Sequence, residues 1–146
     1  MGDAESFDRC SRAPARGGPA KRTQTPLVLA FIDVDGLKTT NDSLGHDAGD
    51  RLLRRVVNTM RTHLRSYDLI VRFGGDEFVC SIVGTSLTAA AAERLALIDA
   101  DLAKAPHASI TTGLADLMPS DSLEDLITRA DAALLGERKT RSTGGR

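Results

Sequence analysis

From Leu27 to Val34 the chain reads LVLAFIDV, a run of apolar residues interrupted by one acid. Apolar residues on both alternations over a strand's length predict a central strand covered on both faces. Asp35-Gly36 closes it with a turn signal. From Asp50 the period lengthens: Leu52, Leu53, Val56, Val57, Met60 and Leu64 recur at helical spacing and form one apolar stripe. Two short apolar runs, LIVRF and EFVCSIV, then flank Gly74-Gly75-Asp76 and predict a β-hairpin. Leu87, Ala91, Leu95, Ile98 and Leu102 mark a second helix, ASITTGLA a further strand, and Leu123, Leu126, Ile127, Ala130 and Leu134 a third helix. The order strand, helix, hairpin, helix, strand, helix predicts an α+β fold. It is a ferredoxin-like βαββαβ core with one helix appended and an antiparallel sheet covered by helices.

The ends read differently. Residues 10 to 26, CSRAPARGGPAKRTQTP, are rich in Pro, Gly and basic side chains, the composition of a linker. Residues 1–25 are therefore assigned to the remnant of a leading helix (residues 3 to 9) and a flexible linker. Residues 26–138 form the domain, and 139–146, KTRSTGGR, a flexible tail. At 41% hydrophobic and 27% charged, the 146-residue chain has the composition of a soluble globular domain. A net charge of −1 and only 3% aromatic residues argue against a nucleic-acid partner, which needs a basic field or stacking platforms. The two cysteines are far apart, and Cys80, within an apolar strand, reads as a buried thiol. No Cys/His metal spacing, membrane-length apolar run or signal-peptide core occurs, so a cytoplasmic location is expected.

Candidate chemistry concentrates at one end of the predicted sheet. Asp33 closes the first strand, and in a βαββαβ core the hairpin bearing Asp76 and Glu77 is its neighbour. These three carboxylates are expected to converge, and a hard divalent cation would resolve their repulsion, Mg²⁺ being the natural candidate. The plainer alternative leaves each acid solvated at the end of an element. Between strand and helix lies DGLKTTNDSLGHDAGD. Lys38 offers a compact positive charge to a phosphate. Asn41 and Asp50 offer an amide and a carboxylate, a pair able to read a purine that presents both a carbonyl and N–H donors. Asn41 and Asp42 also suit helix capping or a turn, Asp50 a helix start, and His46 a structural hydrogen bond. Nothing matches the phosphate loop of the common nucleotide hydrolases.

FIDVDGLKTTNDSLGHDAGD followed by RFGGDEF resembles the GGDEF family, the diguanylate cyclases. The signature Gly74-Gly75-Asp76-Glu77-Phe78 is intact, and the likeness spans residues 27 to 135. The resemblance implies condensation of two GTP into cyclic di-GMP with release of two pyrophosphates, across two monomers in a transient homodimer. It implies that Asp33 and Asp76, with the backbone carbonyl of Val34, hold Mg²⁺ (or Mn²⁺). Glu77 would stand at the reacting 3′-hydroxyl or bind a second metal, Asn41 and Asp50 would read guanine, and Lys38 would contact the triphosphate. Gly74 and Gly75 would admit the α-phosphate. RSYD, with Arg65 and Asp68, matches the family's RxxD segment and implies an inhibitory site for cyclic di-GMP.

The chain also departs from the family pattern. The usual opening segment before a phenylalanine like Phe7 is missing. Leu37 replaces a phenylalanine and Leu135 a tyrosine, Arg138 stands in place of a phosphate-binding lysine, and Ser142 falls where an arginine is usual, with Lys139 and Arg141 nearby. Three readings follow: an active cyclase, a module that binds GTP or cyclic di-GMP as a regulator without useful turnover, and a plain interaction domain.

Overall fold

The computed structural model describes residues 25–84 and 88–144. Its elements run β1 (Leu27–Val34), α1 (Leu37–Leu44), α2 (His46–His63), β2 (Ile70–Arg72), β3 (Glu77–Val83), α3 (Thr88–Leu102), β4 (Ile110–Asp116) and α4 (Leu123–Gly144). The sheet is antiparallel throughout, in the order β2-β3-β1-β4. This is the expected α+β architecture, and β1, buried along its whole length, is an inner strand beside β3.

The alternation of β1 separates two cores. Val28, Ala30, Ile32 and Val34 face Leu53, Val56 and Met60 of α2 and Ala91, Leu95, Ile98 and Leu102 of α3. Leu27, Leu29 and Phe31 face the other way, onto Leu126, Ala130 and Leu134 of α4. Each stripe read from the sequence thus finds an apolar face of the sheet, and burial of such surface drives the association. Asp33, next in the odd-numbered series after Phe31, comes out on the α4 side. Cys80 is a free, fully buried thiol on the α2/α3 side, where burial pushes its pKa up to about 12.

Helix α4 lies unusually near β4. A Cβ on Gly113 would stand 2.2 Å from the backbone nitrogen of Leu134 and 2.3 Å from the carbonyl oxygen of Ala130. The bare glycine lets the helix backbone settle on the strand, which carries the helix's far end over the end of β1.

Two elements differ from the sequence reading. Residues 37 to 44 form the extra helix α1, and α2 begins at His46, ahead of Asp50. Only Leu37 of α1 is buried, so no apolar period announces it. Helix α4 continues to Gly144, beyond the domain end expected at Arg138. The leading helix at 3 to 9, Cys10 and Leu87 lie outside the described residues. Among the described residues no helix is long and apolar enough to cross a membrane.

Candidate functional site

The end of β1 and the hairpin tip form one structure. Asp33 pairs in register with Glu77 across the β1–β3 ladder, and the Val34 N–H donates to the Asp76 carbonyl at 2.9 Å. Phe73 and Gly74 both donate their N–H groups to the Glu77 carbonyl. Arg72 staples the tip from outside, donating from Nε to the Gly74 carbonyl at 3.2 Å and from Nη2 to the Gly75 carbonyl at 2.8 Å. That staple had no signal in the sequence, because an arginine at a strand end reads first as a solvated charge.

Asp33 is buried, and Arg138 of α4 bonds its Oδ2. Its Oδ1 is buried with no hydrogen-bond partner. Burial raises the Asp33 pKa to about 6; Arg138 opposes the shift and the neighbouring Asp76 carboxylate adds to it. When both are ionised, neither acid has a proton to donate to the other. An orphaned carboxylate oxygen beside a second carboxylate suits a hard cation with oxygen ligands, so Asp33 and Asp76 fit Mg²⁺ or Mn²⁺. Among the described residues no group of three or more His, Cys, Asp or Glu stands close enough to hold a metal. Glu77 instead folds back over Gly74, with its Oε1 2.7 Å from where a Cβ would stand there. Gly75 has open space at the same position.

The polar block divides between two helices. Asn41 lies on α1 and Asp50 on α2, joined at Gly45. The Asn41 amide packs onto Gly49, its Oδ1 standing 1.8 Å from the position of a Cβ on that residue. Asp50 is exposed at the mouth of a groove of about 430 Å³, shared with Arg54, Arg61, Arg72 and Phe78. The groove therefore runs from the helix start to the hairpin. Lys38 and His46 are exposed on α1 and at the start of α2.

Arg138 and Arg141 project from α4 onto the two acids of the β1 end. Arg141 Nη1 reaches Asp35 Oδ2 at 2.9 Å and Thr111 Oγ1 at 2.8 Å. Asp35 also accepts from Ser109 and Thr111 hydroxyls, each at 2.7 Å. The anchoring role of Asp35 was missed because its partners lie more than seventy residues away in sequence. The three-residue spacing of the arginines on a helix was the available clue.

Arg65 and Asp68 meet in the loop between α2 and β2, with unequal access. Asp68 has a fully buried side chain. It accepts from the Arg65 N–H at 3.0 Å and the Val83 N–H at 2.9 Å, and Arg94 of α3 stands 3.6 Å away. Its carboxylate anchors the loop. The Arg65 guanidinium lies outside, donating to the Tyr67 hydroxyl at 2.7 Å, so it carries the accessible charge of that segment.

The family model described as the diguanylate cyclase GGDEF domain matches residues 16–143. Diguanylate cyclase DosC of Escherichia coli is 36% identical over 132 residues, covering 84% of this chain and 29% of the relative. The chain thus spans less than a third of the curated relative's length. Among solved structures, the isolated GGDEF domain of TpbB (YfiN) from Pseudomonas aeruginosa superposes with a TM-score of 0.82 at 31% identity, covering 94% of this chain and 83% of that one. The GGDEF domain of DgcB from Caulobacter crescentus in complex with c-di-GMP gives 0.80 at 25% identity, covering 97% and 85%.

Proposed function

The chain belongs to the GGDEF family of diguanylate cyclase domains, and we propose that it condenses two GTP molecules into cyclic di-GMP, releasing two pyrophosphates. The observation that carries this reading is the Asp33–Asp76 carboxylate pair at the joint end of β1 and the hairpin, with the unpartnered Asp33 Oδ1. In this reading Asp33, Asp76 and the Val34 carbonyl hold Mg²⁺, which when bound neutralises charge on the phosphates. Asn41 and Asp50 read the guanine edge, Lys38 and Arg138 meet the phosphates, and the bare backbone at Gly74-Gly75 admits the α-phosphate. Glu77 takes the proton of the ribose 3′-hydroxyl as its oxygen bonds the α-phosphorus of the partner's GTP and the bond to pyrophosphate breaks. Two such transfers, one in each direction, close the ring, so two copies of the domain must face each other. Arg65, held on a loop fixed by Asp68, is proposed to receive cyclic di-GMP as a feedback inhibitor.

The test is incubation with GTP and Mg²⁺, identifying the nucleotide product and counting pyrophosphate. Because each centre needs two half-sites, specific activity is expected to rise with protein concentration from the low micromolar range. GTP binding with no cyclic di-GMP at any concentration would favour instead a regulatory binding module, a reading that the Glu77 side chain turned onto Gly74 supports.

The contact between Asn41 and Gly49 gives a second test. In Gly49→Ala the new methyl displaces the end of the Asn41 side chain, which can rotate away, and presses on Leu37 Cδ1 at 3.3 Å, which need give only slightly. GTP affinity is expected to fall about tenfold, the scale of a lost hydrogen bond to a buried partner, as read by calorimetry. The melting temperature should move little. Unchanged affinity would remove Asn41 from the base site.

A further inference from the structure

The two arginines at the end of α4 are not equivalent. Arg141 has its own partners away from Asp33: it bonds Asp35 and Thr111 and stands 3.9 Å from Asp99, and Asp35 is itself held by Ser109 and Thr111. Arg138 bridges two acids, bonding Asp33 Oδ2 and standing 3.9 Å from Asp35 Oδ1. Since Asp35 already has Arg141, Arg138 is in effect the counter-ion of Asp33. The arginine side chain is 43% exposed and Asp33 only 11%. The guanidinium therefore meets the solvent at the mouth of the carboxylate pair, with N–H groups to spare. Its helix is pinned beneath it by the Arg141–Asp35 contact, so any movement falls to the side chain itself.

A cation taken up at the buried, unpartnered Oδ1 of Asp33 would sit one carboxylate away from this guanidinium, and the two positive charges would repel in a half-buried place. A triphosphate changes the balance, because its oxygens accept a forked guanidinium at least as well as a carboxylate does. We propose that Arg138 makes cation binding conditional on the nucleotide: it neutralises Asp33 until a triphosphate draws it off, and Asp33 is then released to the metal. This rests on the GTP-binding reading above. It gives Arg138 a role distinct from clamping phosphate alone, and it would keep the site from filling with metal in the absence of substrate.

The experiment measures Mn²⁺ bound to the protein by electron paramagnetic resonance, first with Mn²⁺ alone. Calorimetry then measures binding of a non-hydrolysable GTP analogue at saturating Mn²⁺. Parent, Arg138→Gln and Arg138→Lys are compared after melting curves show that each is folded. Arg138→Gln is expected to bind Mn²⁺ alone about tenfold tighter, because a like charge beside the cation is gone, and to bind the Mn²⁺–analogue complex more weakly. Arg138→Lys keeps the charge and should stay with the parent in Mn²⁺ binding. Mn²⁺ alone binding no tighter to Arg138→Gln than to the parent would overturn the counter-ion role. Equal tightening in Arg138→Lys would do the same, since it would trace the effect to packing. If the parent failed to bind the Mn²⁺–analogue complex at all, the GTP reading itself would fall, and the release step with it.

Discussion

Asp33→Asn is expected to cut turnover about a thousandfold, the cost of deleting a principal electrostatic group from a phosphoryl-transfer site, without lowering the melting temperature at pH 7. The two halves of this result have one cause. Asp33 is buried beside Asp76, and its folded-state pKa of about 6 lies above its ordinary value of 3.8. A raised carboxyl pKa means that the folded state prefers the neutral acid. The penalty for holding the charged form is absent at pH values well below 3.8. It builds as pH rises towards 6 and is complete above it. At pH 7 asparagine removes that penalty, and its amide oxygen can still accept from Arg138. Stability should therefore hold or rise while activity is lost, and the gain should shrink steadily as melts are taken from pH 7 down through 6 and below 3.8. Cyclic di-GMP synthesis near the parent rate would exclude Asp33 from the chemistry. A large drop in melting temperature at pH 7 would show that its charge supports the fold.

The largest effect on the fold is expected from Gly113→Val. The strand backbone and α4 approach so closely that even a Cβ would stand 2.2 Å from Leu134 nitrogen. The obstacle is helix backbone, which cannot rotate aside as a side chain can. Lifting α4 would also loosen Leu126, Ala130 and Leu134 from the sheet. A loss of about 3 kcal/mol is expected, the upper part of the range for overpacking a core, which corresponds to a fall of roughly 10 °C in melting temperature for a domain of this size. Gly75→Ala is the control, since its Cβ meets open space, and it should melt with the parent. The same displacement would draw Arg138 and Arg141 off Asp33 and Asp35, so any activity left in Gly113→Val should fall more than its folded fraction. Parent-like melting would mean that β4 and α4 separate without cost.

How much of this was present in the sequence follows from the range of the forces involved. Hydrophobic period is local, and it determined β1, the hairpin and the three long helices, together with the α+β order. Period carried no information about α1, whose single buried residue makes no stripe, nor about α4 beyond Arg138, where polar residue types such as Lys139, Thr140 and Arg141 are those a tail also carries. The site was legible as residue types: Asp33, Asp76, Glu77, Asn41 and Asp50 were singled out from their positions at element ends. Orientation was not legible, because strand register places two residues opposite each other without fixing where a long side chain turns. Glu77 pairs with Asp33 in register, yet its carboxylate lies over Gly74. Asp68 and Arg65 share one short segment, yet one is enclosed and the other open. The partnership of Arg138 with Asp33, and of Arg141 with Asp35, spans more than a hundred residues of chain. Only the docking of α4 on β4 brings those charges into contact, and that docking depends on the missing side chain of Gly113.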